Sequence, residues 1–458
     1  MTEQVYTENG ALAHNLKSKC LHLFSKIGAL RNASKEMVIN LFHDAVKEDE
    51  KTAMQILFWG RDARQGAGER KTFHDIVAMF VNMDFIARNA KVLINIGYAK
   101  DLIPYFGNDK VVAEWAMILK GSSNGVRSDL VAKWTPRKGK NFKRLRDRMN
   151  LTNKELRKLL VDQSHTVEQL MSAKEWDSIN FSSVPGRALK TYSKSFDKHM
   201  SERFIQWKED KASKASVSAT YPHEIIQVLD KDVSLAQKMW DNLPQLTDKA
   251  SPLIMADTSG SMTGLPMDVS VALGMYCSEQ AYGFFKNKVM TFSAKPVFHD
   301  LSNYISLREK YEYLNMNMNW GFNTDLNKAY ELILESALLW DIPQDEMPST
   351  LIVISDMQFD DAIKGTTEDK TLHEMNKYAF IEAGYEFPKL IYWNVRASNG
   401  SPVDDLSPNT ALISGFNPAI VNPLLSGDDY NPMKVMYEAI SHIKLDFTHD
   451  PIRNNLSV

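Results

Sequence analysis

The chain has little cysteine: Cys20 and Cys277 are the two thiols in 458 residues, far apart and without paired metal-ligand spacing. That scarcity argues against a disulfide-stapled fold or a thiolate zinc site and fits a reducing, cytoplasmic compartment. No apolar run approaches the roughly eighteen residues of a membrane helix. The opening MTEQVYTENG lacks the basic start and apolar stretch of a signal peptide. Net charge is nearly absent, at -3, so any surface for nucleic acid must be local. Histidines such as His14, His22, His43 and His74 are dispersed, with no His-Glu-x-x-His pair, and there is no Walker-type Gly-rich Lys-Ser/Thr loop. What is present is an ordinary globular composition, 44% hydrophobic and 24% charged, long enough for two or three domains.

The densest chemical signal is LIMADTSGSM, Leu253 to Met262. A buried strand that stops at Asp257 and turns through Ser259, Gly260 and Ser261 puts a carboxylate and two hydroxyls at the carboxyl edge of a sheet. Oxygen donors clustered there suit a hard divalent cation such as magnesium. Two later segments offer further donors. NWGFNTDL, Asn319 to Leu326, brings the Thr324 hydroxyl just ahead of a helical pattern, and STLIVISDM ends a second apolar strand at Asp356. The plainer alternative is that Asp257 caps a helix and the serines satisfy a turn.

The texture changes along the chain. Residues 1–208 are helical almost throughout: KEMVINLFHDAVKED, TFHDIVAMFVNM and EWAMILKG repeat apolar residues at three and four spacing. No fixed period is visible, which predicts an irregular helical array. The stretch 209–249 is read as a linker with connecting helices. From 250 to 445 strands alternate with helices, with KVMTFS, STLIVISD, KLIYWNVR and TALISG as strands, the pattern of a doubly wound parallel sheet. A frayed tail is expected at 446–458. The expected fold is thus a helical array followed by an α/β domain.

A local basic excess lies between Lys120 and Lys158. Its centre, KWTPRKGKNFKRLRDRM, holds Lys133, Arg137, Lys138, Lys140, Lys143, Arg144, Arg146 and Arg148, interleaved with Trp134 and Phe142. Cations beside exposed aromatics suit the phosphates and unpaired bases of single-stranded RNA. RDARQGAGERK adds Arg61, Arg64, Arg70 and Lys71 around two glycines. The alternative is that these cations coat helix surfaces while the aromatics belong to the core.

Asp257, Ser259, Ser261, Thr324 and Asp356 resemble the metal-ion-dependent adhesion site of the von Willebrand factor A domain, written Asp-x-Ser-x-Ser with a distant Thr and a distant Asp. The resemblance implies that Ser259, Ser261 and Thr324 touch the magnesium ion directly, that Asp257 and Asp356 act largely through water, and that one position stays open for a partner protein's acidic residue. A helical array leading into such a domain, with RDARQGAGER and a Lys/Arg segment, resembles the Ro autoantigen and the TROVE module, in texture the viral and plant relatives of unknown function. This implies a non-enzymatic, membrane-free binder of small structured or single-stranded RNA. A protein scaffold without RNA and a magnesium-dependent phosphoryl-transfer enzyme or nuclease are the alternatives.

Overall fold

In the computed structural model the described residues are 5–6, 12–121, 128–217, 220–246, 251–292, 296–317, 326–357, 372–396, 401–426 and 430–453. They divide into two compact units. One joins Met1–Ile56 to Thr220–Ile440, and the other joins Leu57–Ala219 to Ser441–Val458.

The first unit carries a small antiparallel pair, β1 (Val5–Tyr6) with β2 (Leu12–Ala13), and a six-stranded sheet. The sheet strands are β3 (Pro252–Asp257), β4 (Lys288–Phe292), β5 (Val297–Asp300), β6 (Thr350–Ser355), β7 (Lys389–Asn394) and β8 (Thr410–Ser414), in the order β5-β4-β3-β6-β7-β8. Every residue of β3, β6 and β8 is buried. Strands covered on both faces need unbroken apolar sequence, and LIMA, LIVI and ALI supply it. All neighbours are parallel except β5, which runs antiparallel to β4. Four residues, partly exposed, give β5 too short a pattern to stand out in sequence.

The order places β4 on one side of β3 and β6 on the other. The chain therefore reverses its progress across the sheet between β3 and β6. The carboxyl ends of these two strands border the crevice where open α/β sheets take ligands.

The first 56 residues belong with this sheet, whereas the sequence pattern assigns them to a helical block ending at 208. The reason is local. The Gly28 amide donates to Ser414 Oγ at 2.9 Å, and that hydroxyl donates to the Phe24 carbonyl at 3.1 Å. A Cβ on Gly28 would meet the Ser414 carbonyl at 2.5 Å, so only glycine allows this approach to β8.

The second unit is an irregular set of helices, including Lys71–Phe80, Asp109–Leu119, Gly139–Met149, Asn153–Gln163 and Gly186–Glu209. Their starts follow ordinary capping chemistry. Asn108 accepts from the Lys110 and Val111 amides, and Thr152 and Glu155 form a reciprocal box. The expected frayed tail is corrected over its described part. The Asn82 amide donates to the Pro451 carbonyl at 2.7 Å, Val81 bridges Ile452, and the Arg453 amide reaches the Phe80 carbonyl. Paired backbone groups hold the segment in place where composition alone suggests fraying.

No helix among the described residues is long and apolar enough to cross a membrane.

Candidate metal centre and candidate nucleic-acid interface

Asp257 closes β3, fully buried, and Asp356 follows directly on β6, 3% exposed. The two strands are neighbours in register, with Ala256 opposite Ile354, so both carboxylates arrive at the switch crevice. Asp257 Oδ1 accepts from the Ser259 amide at 2.8 Å, and Oδ2 accepts from the Ser355 hydroxyl at 2.6 Å. Ser259 Oγ and Ser261 Oγ stand 3.0 Å apart. Ser259 is buried and Ser261 exposed, so the pair spans the rim of the sheet.

Met357 sits next to Asp356 with φ 63°, a left-handed backbone that a side chain of its size rarely adopts. Its amide donates to Ser355 Oγ at 3.0 Å. The Ser355 hydroxyl thus ties the end of β6 to Asp257 and closes the turn that carries Asp356. Strain of this kind persists only where the surroundings over-determine it.

Burial pushes the Asp257 carboxyl up to about 7; the Asp356 charge adds to the rise, and hydrogen bonds from Ser355 and Ser259 oppose it. Two carboxylates in a buried crevice repel unless something positive is shared between them. The donor set fits a hard cation. Magnesium holds oxygens at about 2.0–2.1 Å in an octahedron, whose edges are then about 3.0 Å. The two serine hydroxyls are separated by that edge length, although the same spacing serves a hydrogen bond. The two buried carboxylates add oxygens of the kind such an ion takes. Among the described residues no group of three or more His, Cys, Asp or Glu is placed to hold a metal ion.

Thr324, the fifth member expected from sequence, lies outside the described residues. Two residues missed in the sequence belong to the site. Ser355 stands one position before Asp356 and orients Asp257. Arg396, just beyond β7, donates through a guanidinium nitrogen to the Ser261 carbonyl. Each occupies the carboxyl end of a predicted strand, which was the available signal.

The second unit holds the basic segment. The helix Gly139–Met149 buries Phe142, Leu145 and Met149 at three and four spacing, which turns its cations outward. Several are already engaged. Arg144 pairs with Asp109 at 3.0 Å, Arg146 with Asp147, and Lys133 with Glu168 at 2.7 Å. Arg137 donates to Ser164 Oγ and the Ala132 carbonyl. Lys138, Lys140, Lys143 and Arg148 are exposed and form no ion pair among the described residues. Trp134 is 37% exposed, with Lys100 and Lys133 against its ring, whereas Phe142 is in the core.

The RDARQGAGER turn is largely scaffold, which corrects the place given to Arg61. That side chain is 1% exposed and donates Nε and a terminal nitrogen to Asp101 at 2.8 and 2.5 Å, so it is out of reach of a polyanion. Asp62 accepts from the Arg64 and Gln65 amides, and Glu69 accepts from the Lys71 and Thr72 amides. A Cβ on Gly66 would lie 2.0 Å from the Trp59 carbonyl. Arg64 and Lys71 face solvent and Arg70 does so in part. Arg70 pairs with Asp101 and Lys71 with Asp75.

Residues 251–446 match a family described as a domain of unknown function (DUF7788), and residues 115–252 match a second domain of unknown function (DUF2828). The "Uncharacterized protein L728" of Acanthamoeba polyphaga mimivirus is 27% identical over 507 residues, spanning 96% of this chain and 88% of the viral one.

Proposed function

We propose that the chain is a non-enzymatic RNA-binding protein of the Ro autoantigen type, gripping single-stranded or structured RNA on the Lys138–Arg148 face. Its α/β unit then resembles a von Willebrand factor A domain and takes Mg2+ at the β3–β6 crevice. The observation that carries the RNA half is the set of exposed cations Lys138, Lys140, Lys143 and Arg148, in the same basic segment as the exposed Trp134. Cations without a carboxylate partner bind phosphate without first giving up an ion pair, and an exposed indole offers a stacking plane.

In the metal half, Ser259 and Ser261 would hold the ion directly, while Asp257 and Asp356 supply the charge. Bound there, magnesium would supply a Lewis-acidic position for a carboxylate from a protein partner. Residues of this chain do the rest: Ser355 fixes the Asp257 carboxylate and Arg396 anchors the serine loop.

Filter binding of a single-stranded RNA tests the RNA half. Lys140, Lys143 and Arg148 changed together to Glu are expected to lower affinity at least tenfold and to flatten a salt slope of about minus four, as for six phosphate contacts. Equal affinity for the triple variant and the parent would remove the RNA reading and leave the scaffold alternative.

A further inference from the structure

One arginine crosses the mouth of the β3–β6 crevice. β7 lies beyond β6, two strand positions from β3, so the carboxyl ends of β3 and β7 are about 10 Å apart. Arg396 follows β7, and its amide donates to Asn394 Oδ1 at 3.0 Å. The Val395 amide donates to the Ser355 carbonyl at 3.2 Å, which ties the same turn to the end of β6. From that anchored start the guanidinium reaches the Ser261 carbonyl, in the loop after β3. The side chain therefore spans the end of β6, where Asp356 follows.

Anchoring the loop takes one N–H and no charge. Arg396 is exposed and makes no ion pair among the described residues, although Asp257 and Asp356 lie at the same crevice. One of its five N–H groups meets the Ser261 carbonyl, a contact that a neutral amide would make equally well. The carbonyl and hydroxyl oxygens of a single serine are within about 4 Å of each other, so the guanidinium stands within about 7 Å of Ser261 Oγ. Ser259 Oγ is 3.0 Å from that hydroxyl. A carboxylate with one oxygen about 2.1 Å from magnesium and the other about 2.8 Å from a guanidinium nitrogen spans a comparable gap.

We propose that Arg396 selects the ligand of the crevice: it takes the second oxygen of an Asp or Glu side chain on a partner protein, while the first oxygen completes the shell of the ion. The inference rests on the metal reading above and adds to it the residue that chooses the partner's chemistry. A guanidinium fork matches the flat pair of oxygens of a carboxylate. It also makes ion and ligand depend on one another. Without the carboxylate the guanidinium repels the ion; with it, the two cations share one anion. Ligand and ion then raise each other's affinity by the same factor.

Mn2+ binding to the full chain at pH 8, followed by electron paramagnetic resonance, tests this with a blocked aspartate, N-acetyl-aspartate methylamide, as the probe. The asparagine analogue at matched ionic strength is the control. In the parent the blocked aspartate is expected to tighten Mn2+ binding by about threefold or more. Arg396→Gln keeps an N–H for the Ser261 carbonyl and removes the charge. It should bind Mn2+ alone about threefold tighter than the parent, yet lose the tightening by aspartate. Arg396→Lys should retain part of that tightening. Equal tightening in the parent and Arg396→Gln overturns the proposal and leaves the metal site standing. Weaker binding of Mn2+ alone by Arg396→Gln also overturns it, since the arginine is then an anchor of the loop. Tightening by dimethyl phosphate and not by aspartate overturns the acidic partner in favour of a nucleic-acid backbone. A parent that leaves Mn2+ unbound removes the metal reading, and this inference with it.

Discussion

Asp257 shows how one residue can be costly to the fold and useful to the site. Its carboxyl, raised by burial to about 7, holds its proton more tightly in the folded chain than in the unfolded one. The stability it contributes is therefore present below the ordinary aspartate range, near pH 4, and is lost as pH rises through about 7. At pH 8, without a divalent cation, the ionised group is a buried charge beside Asp356. Asp257→Asn keeps the shape and the acceptor for the Ser259 amide, so it should raise the Tm in chelator at pH 8, by about 2–4 °C for each kcal/mol of repulsion removed. At pH 4 the gain should vanish. A lowered Tm at pH 8 would mean that the carboxylate is compensated within the chain and needs no ion.

At the scale of the element, the turn from Arg61 to Lys71 is organised around Asp101. Burial works against ionising this carboxyl, yet the contacts from His74, Arg61 and Arg70 outweigh it and hold it well below the usual range. Its contribution is thus present above about pH 4 and lost as pH falls further. Asp101→Asn leaves Arg61 buried without a counter-charge, a loss of about 3–5 kcal/mol. The helical unit should then melt on the order of 10 °C lower at pH 7, with the difference narrowing in acid. Melting curves followed by circular dichroism check both. An unchanged melting curve at pH 7 would contradict the role given to the ion pair.

Elements were the most legible feature of the sequence, and their assignments to function the least. STLIVISD and KLIYWNVR announce strands because a parallel sheet covered on both faces needs unbroken branched apolar runs. RDARQGAGER looked like a basic loop, since sequence shows a charge without its partner. Asp101, forty residues from Arg61, turns the first of its arginines into a core residue. The same limit hid Ser355 and Arg396, whose roles depend on neighbouring strands rather than neighbouring residues.

Across the whole molecule, the two units carry different chemistry. The unit built on the six-stranded sheet presents oxygen donors, and the helical unit presents cations. Sequence texture separated a helical part from an α/β part, and the boundaries it missed, residues 1–56 and 441–453, are set by long-range contacts such as Gly28 with Ser414 and Asn82 with Pro451. Long-range pairing of single glycines and asparagines has no periodic signal. On the proposed reading, the helical unit would take an anionic ligand and the sheet unit a divalent cation.

The crevice is tested most directly by titrating the full chain with Mn2+, a hard-cation substitute for Mg2+, and following the unbound ion by electron paramagnetic resonance. The account predicts one saturable site per chain that Mg2+ competes for, weakened at least tenfold by Ser259→Ala with the melting temperature in chelator unchanged. A parent that leaves Mn2+ unbound at millimolar concentration, or a variant that binds it as well as the parent does, would contradict the account.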